Sequence, residues 1–151
     1  MPLKQQISDD MKAALLSGNR FEVEVLRGLK AVILNEEVAA GQRDQGLADA
    51  EVEKLISREV KKRGESAKLY RDNGRVELAE KEDQEAEILS RYLPEQLSQD
   101  DIQKLVQAEI AKLESPSPQN MGQVIGAVKQ QAGSSADGAV IAKIAKELLT
   151  K

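Results

Sequence analysis

Apolar residues recur along this chain at spacings of three and four, the period of helices that bury one face. Leu3, Ile7, Met11, Ala14 and Leu15 fall on one stripe that Gly18 stops, predicting a first helix from Leu3 to Ser17. Asn19 restarts the chain, with Glu22 where a capping-box partner belongs. Phe21, Val25, Leu29, Val32 and Ile33 then give a second helix its inward face as far as about Ala40. Beyond a polar loop from Gly41 to Leu47, Val52, Ile56, Val60, Ala67 and Tyr70 predict a third helix from Ala48 or Asp49 to Asp72. The turn signal Asn73-Gly74 divides it from a fourth, Arg75 to Tyr92, with Leu78, Ala86, Leu89 and Leu93 inward. Three shorter helices follow. One runs from Gln99 to Leu113 on Ile102, Leu105, Val106, Ala108 and Ile110; one opens at Asn120 on Met121, Val124, Ile125 and Val128; one runs from Asp137 to Leu149 on Val140, Ile141, Ile144 and Leu148. No segment alternates long enough to read as a strand, so the expected fold class is all-α.

The joint between the long and short helices is Tyr92-Leu93-Pro94-Glu95-Gln96-Leu97-Ser98. Pro94 cannot continue a helix and pushes Leu93 out of the α region. Ser98 is an N-cap with Asp101 at the third helical position. The chain therefore divides into a four-helix domain over residues 1–93, a hinge at 94–97 and a three-helix domain over 98–151.

Composition narrows the chemistry. The aromatic fraction is only 2%, so aliphatic side chains must fill the cores, and the net charge of −4 confines any nucleic-acid contact to a local patch. Cys and His are both absent, which removes disulfides, thiol nucleophiles, imidazole catalysis and the usual transition-metal sites. No catalytic residue, metal ligand or cofactor site is expected. The opening residues read as neither a signal peptide nor a membrane anchor, so a cytoplasmic protein with no membrane partner is the expectation.

Charge is distributed unevenly. Arg58 to Arg75 holds seven basic residues against three acids, and Val76 to Glu87 holds six acids against one lysine. An antiparallel hairpin at Asn73-Gly74 lays these stretches side by side. Charge pairing within the hairpin is one reading of this pattern. The other is RNA-backbone contact by Lys61, Lys68, Arg71 and Arg75, which cluster on an outward arc. Arg63 falls instead on the inward stripe of the third helix, and Glu82 and Glu85 on that of the fourth, while Glu36 falls inward on the second. An inward charge needs a partner, so a structural ion pair of Arg63 with Glu82, Glu85 or Glu36 is expected.

The last region joins Met121-Gly122-Gln123-Val124-Ile125-Gly126 to Ala136-Asp137-Gly138. No strand precedes it and no Gly-Lys-Ser/Thr follows, so it is not a phosphate loop. Close helix approach at Gly122 and Gly126 and an N-cap at Asp137 account for it. Lys129, Lys143, Lys146 and Lys151 face only Asp137 and Glu147 between Gln119 and Lys151, which makes this end locally basic and a second candidate RNA surface.

Several of these stretches together carry a family resemblance. They are Leu26-Arg27-Gly28-Leu29-Lys30-Ala31 with Asn35-Glu36-Glu37, Glu59-Val60-Lys61-Lys62-Arg63-Gly64-Glu65-Ser66, Gly74-Arg75 with Leu78-Ala79, the Tyr92–Ser98 joint, and Met121-Gly122 through Asp137-Gly138. In this order they resemble the GatB/YqeY family, specifically its small stand-alone YqeY-like members. The resemblance implies an all-α fold of four helices and then three. It also implies kinship with the helical and tail regions of the B subunit of glutamine-dependent tRNA amidotransferases, where the tail helps to hold tRNA. The family carries the label of a carbon–nitrogen ligase with glutamine as amide donor, but in those amidotransferases the ATP- and magnesium-dependent cradle lies in a separate large domain that is not expected in this chain. The resemblance thus implies a tRNA-associated accessory module, with tRNA and an amidotransferase or aminoacyl-tRNA synthetase component as candidate partners. The alternative is a helical protein-interaction module with no RNA role.

Overall fold

The structure is a computed structural model that describes residues 2–150. Among these residues the chain forms seven α-helices and no strand: α1 Leu3–Ser17, α2 Arg20–Ala39, α3 Asp49–Asp72, α4 Val76–Ser90, α5 Gln99–Ala111, α6 Met121–Ala132 and α7 Gly138–Leu149. Short 3-10 turns at Pro118–Asn120 and Gly133–Ser135 flank α6.

Local chemistry sets most of these limits. Gly18 ends α1 in the left-handed region at φ 79°, a conformation that side chains with a Cβ disfavour. Asn19 opens α2 by accepting the Glu22 N–H at 3.2 Å, and Ser98 opens α5 by accepting the Asp101 N–H at 3.1 Å. Two caps differ from the sequence reading. The Glu22 carboxylate returns to the Asn19 side-chain amide at 3.0 Å and not to its backbone N–H, so the box is half formed. Asn120 does not cap α6; its side chain turns back to accept the Ser117 N–H at 3.0 Å and fixes the preceding turn. The start of α1 is held from a distance, because Pro2 offers no side-chain cap and Asp49 Oδ1 of α3 accepts the Leu3 N–H at 3.0 Å.

The chain divides into two compact units, Met1–Leu93 and Pro94–Lys151. The first contains α1 to α4, with Ile7, Leu26, Leu29, Val52, Ile56 and Leu89 at its centre. Removing each such side chain from water contributes about 2 kcal/mol. Two apolar inward assignments fail here. Leu15 is 65% exposed, and at the start of α4 the buried residue is Ala79 while its neighbour Leu78 is 41% exposed. The second unit contains α5 to α7 around Ile102, Val106, Val124, Val128, Ile141, Ala145 and Leu149. Ala108 lies on the exposed side of α5. Nor is there close approach at Gly122 or Gly126, since a Cβ at either would meet no heavy atom within 4 Å.

The joint residues divide between the two cores. Tyr92 and Leu93 pack on the first, and the Tyr92 hydroxyl donates to Asp10 Oδ2 at 2.6 Å. Leu97 packs on the second, and its N–H donates to the Ser135 carbonyl at 2.8 Å. The Gln96 amide donates to the Ser134 and Pro94 carbonyls at 3.0 and 3.1 Å.

Candidate nucleic-acid interface

Two cationic surfaces follow from the sequence, and the structure gives them different surroundings. On α3, Lys61, Lys68 and Arg71 are exposed, as is Arg75 at the start of α4. The acidic α4 lies against this helix. Arg71 pairs with Asp83 across the hairpin, and that carboxylate raises the guanidinium's hold on its proton above the ordinary value. Lys62 lies 3.7 Å from Glu59. The α3 cations thus stand among carboxylates of both helices.

Arg63 sits lower on the same helix, with its side chain 20% exposed. Its Nη1 donates to Glu59 Oε2 at 2.6 Å and to the Glu59 carbonyl at 3.2 Å, while Nε donates to Glu85 Oε2 at 3.3 Å. Glu59 was not among the expected partners. It lies one turn back on α3, where position i−4 puts it on Arg63's own face. Glu82 is half-buried on α4 but is not bonded to Arg63. Glu36 does not belong to this group, because it is exposed on α2.

The inward acid of α2 is the next residue, Glu37, only 2% exposed. Its Oε2 accepts from Lys4 Nζ at 2.6 Å and from the Leu47 N–H at 2.9 Å. These bonds hold the carboxylate below its ordinary proton affinity despite burial, the Lys4 bond contributing most. The buried run Leu26, Leu29, Ile33 and Glu37 has spacings of three, four and four. That spacing is the signal in the sequence that distinguishes Glu37 from Glu36.

The terminal lysines have sparser acidic surroundings. On α7, Ile141, Ala145 and Leu149 face the core, so the 100° step of the helix turns Lys143 and Lys146 outward. Both are exposed, and neither has an acid within ion-pair distance among the described residues. Asp137 caps this helix by accepting the Ala139 N–H at 2.9 Å. Lys129, in the last turn of α6, crosses the opening turn of α7. A Cβ at Gly138 would sit 2.8 Å from Lys129 Cε, so glycine leaves the lysine its path. Lys151 lies outside the described residues.

Base stacking has little to work with. Tyr92 is buried, and Phe21 and Tyr70 are half-buried. Among the described residues no cluster of His, Cys, Asp and Glu side chains is placed to hold a metal ion. The shifted groups are moved away from neutrality. Tyr92 is pushed well above the ordinary tyrosine range by burial and by its bond to Asp10. Glu109 is held down mainly by Lys112, with Gln131 adding a second bond.

The class thus defined is an all-helical protein of two compact units with cations displayed on helix faces. The chain belongs to the YqeY-like protein family, whose model matches residues 4–149. It is also similar to proteins named altered inheritance of mitochondria protein 41, mitochondrial. Identity is 30% over 91 residues with that of Clavispora lusitaniae, covering 60% of this chain and 51% of the relative. With that of Lachancea thermotolerans it is 30% over 87 residues, covering 58% and 46%. With that of Pyrenophora tritici-repentis it is 25% over 149 residues, covering 95% and 79%. The chain thus spans about half the length of the first two relatives. Among the described residues no helix is long and apolar enough to cross a membrane.

Proposed function

We propose that this chain is an accessory module that associates with tRNA through phosphate contacts, has no catalytic chemistry of its own, and works as a four-helix and a three-helix domain. The observation that carries the reading is the outward pair Lys143 and Lys146 on α7, exposed and with no acid within ion-pair distance among the described residues. Each such ammonium can displace a condensed counterion from a nucleic-acid backbone, which is where affinity for a polyanion arises. The α3 arc is the weaker candidate because α4 carboxylates share its field. With few exposed aromatic rings, recognition rests on backbone shape more than on sequence. The kinship with the tail of the amidotransferase B subunit favours the same end of the chain.

The test is tRNA binding by gel shift at low and moderate salt. Changing Lys143 and Lys146 together to Glu should weaken binding about tenfold or more at low salt and reduce the salt slope by about two, with helicity unchanged. If that variant binds normally while Lys61→Glu with Lys68→Glu abolishes binding, the α3 arc is the contact. If neither pair matters, the RNA reading fails and a purely protein-binding role takes its place.

A further inference from the structure

The groove between α1 and α2 has features that neither the core nor the α7 lysines explain. Two dents lie along it. One, of about 290 Å³, is lined by Lys4, Ile7, Ser8, Lys30, Ala31 and Leu34, with Glu37 in its wall. The other, of about 480 Å³, is lined by Ala14, Leu15, Arg20, Val23, Glu24 and Arg27. Large apolar side chains stand open beside them: Leu34 is 47% exposed, Val38 57% and Leu15 65%. Arg27, Ala31, Leu34 and Val38 follow one another at helical spacing on α2, so the two dents share one face. Leu34 and Val38 lie one turn apart and Leu15 lines the second dent, an exposed apolar grouping of the kind that marks interaction surfaces.

Charge selects the occupant. Four cations line the dents, and the two carboxylates there are already engaged: Glu37 with Lys4 at 2.6 Å and Glu24 with Arg27 at 2.7 Å. Lys30 in the first dent and Arg20 in the second form no ion pair among the described residues. Each apolar dent therefore carries one uncompensated positive charge, on a chain whose net charge is −4. A second copy docking face to face would set these cations against themselves, which repels. An acidic partner is attracted.

Spacing selects its shape. Ser8 lines one dent and Leu15 the other. At a rise of 1.5 Å per residue they lie about 10 Å apart along α1. Apolar anchors at positions i and i+7 of a third helix span that distance. We infer that the α1–α2 groove docks an amphipathic helix of another protein, with apolar anchors two turns apart and acidic residues flanking them.

The probe is a fluorescent synthetic helix of leucines at i, i+3 or i+4 and i+7 with glutamates elsewhere, compared with a twin that has lysines in place of the glutamates. Fluorescence anisotropy with the full chain should show saturable binding of the acidic peptide and at least tenfold weaker binding of the lysine twin. Leu34→Asp should lower affinity for the acidic peptide about tenfold with unchanged circular dichroism, because the side chain is already exposed. Arg20→Glu with Lys30→Glu should reverse the preference between the two peptides. A preference that survives this reversal, indifference to Leu34→Asp, or no binding of the acidic peptide at millimolar concentration overturns the inference. So does a wild-type dimer in sedimentation that Leu34→Asp dissociates, since a second copy then fills the groove. The Lys143 and Lys146 variant should bind the peptide normally, which separates this outcome from the tRNA result.

Discussion

The first unit is tied together by polar contacts between residues distant in sequence, while the second relies on an aliphatic core with mostly local polar bonds. In the first, Asp49 holds the start of α1, Lys4 reaches Glu37 beneath the Leu47 N–H, Asp10 holds Tyr92, and Arg63 joins α3 to α4. In the second, Glu109 accepts from Gln131 at 2.6 Å to link α5 to α6 and pairs with Lys112 one turn away, and caps and contacts at the joint are prominent among the other bonds. Long charged helices with little aromatic filling need such ties to fix their register. Three short helices with the hydrophobic pattern of α7 can rely on burial alone.

The comparison is most exposed to failure in the second core. Ile141 is fully buried among Ile102, Val106, Val124 and Val128. Ile141→Ala should cost about 2–5 kcal/mol. Few other bonds remain to offset that loss, and Pro94–Lys151 has a size at which single cores are marginal. Hydrogen exchange should show α5 to α7 losing protection while α1 to α4 keep theirs. If all seven helices lose protection together, the chain unfolds as one cooperative block and the contrast between the units fails.

Helix limits were legible because Gly18, Gly41, Asn73-Gly74 and Pro94 punctuate the chain through backbone constraints that act locally. The observed ends of α1 and α3 fall at Ser17 and Asp72. Helical phase was harder to read. Where polar and apolar residues mix, the stripes through Leu78 and Ala79, or through Glu36 and Glu37, differ by one residue, and only tertiary contact decides between them. Lys4, on another helix, is what makes Glu37 an acceptable buried acid. The α7 lysines were legible as outward because α7 has a strong apolar stripe. The α1–α2 groove was not, because Leu15 falls on the inward stripe of its helix and only the packed helices show it open, while Leu34 belongs to no stripe that would single it out.

A smaller effect should separate the units at alkaline pH. The second unit contains no tyrosine, whereas the first holds Tyr92 at 8% exposure against Asp10. The folded state raises this hydroxyl's proton affinity above the ordinary value near 10. A group raised on folding contributes stability that is complete below its unfolded value and is lost as pH climbs through the folded one. The first unit should therefore weaken above about pH 10, and Tyr92→Phe should remove that dependence at a cost of about 1 kcal/mol at neutral pH. Denaturant melts followed by hydrogen exchange at pH 7 and above pH 10 would show it. Equal alkaline loss in α5 to α7 would mean that another group is responsible.

The smallest expected effect is a gain. Gly122 and Gly126 lie within α6, where glycine costs about 0.5–1 kcal/mol relative to alanine through the backbone entropy it loses on folding. Both lie on the exposed side, neither has positive φ, and a Cβ at either meets nothing within 4 Å. Gly126→Ala should therefore stabilise the second unit by about 0.5–1 kcal/mol, seen as a higher denaturant midpoint with an unchanged slope. Gly138→Ala is the matched control. It opens α7 and is half-buried, and its Cβ would press on Lys129 Cε at 2.8 Å, so it should give no gain unless Lys129 is shortened as well. A loss of stability in Gly126→Ala would mean that something packs against this face of α6. The second unit would then depend on a contact beyond its aliphatic core, and its difference from the first would narrow.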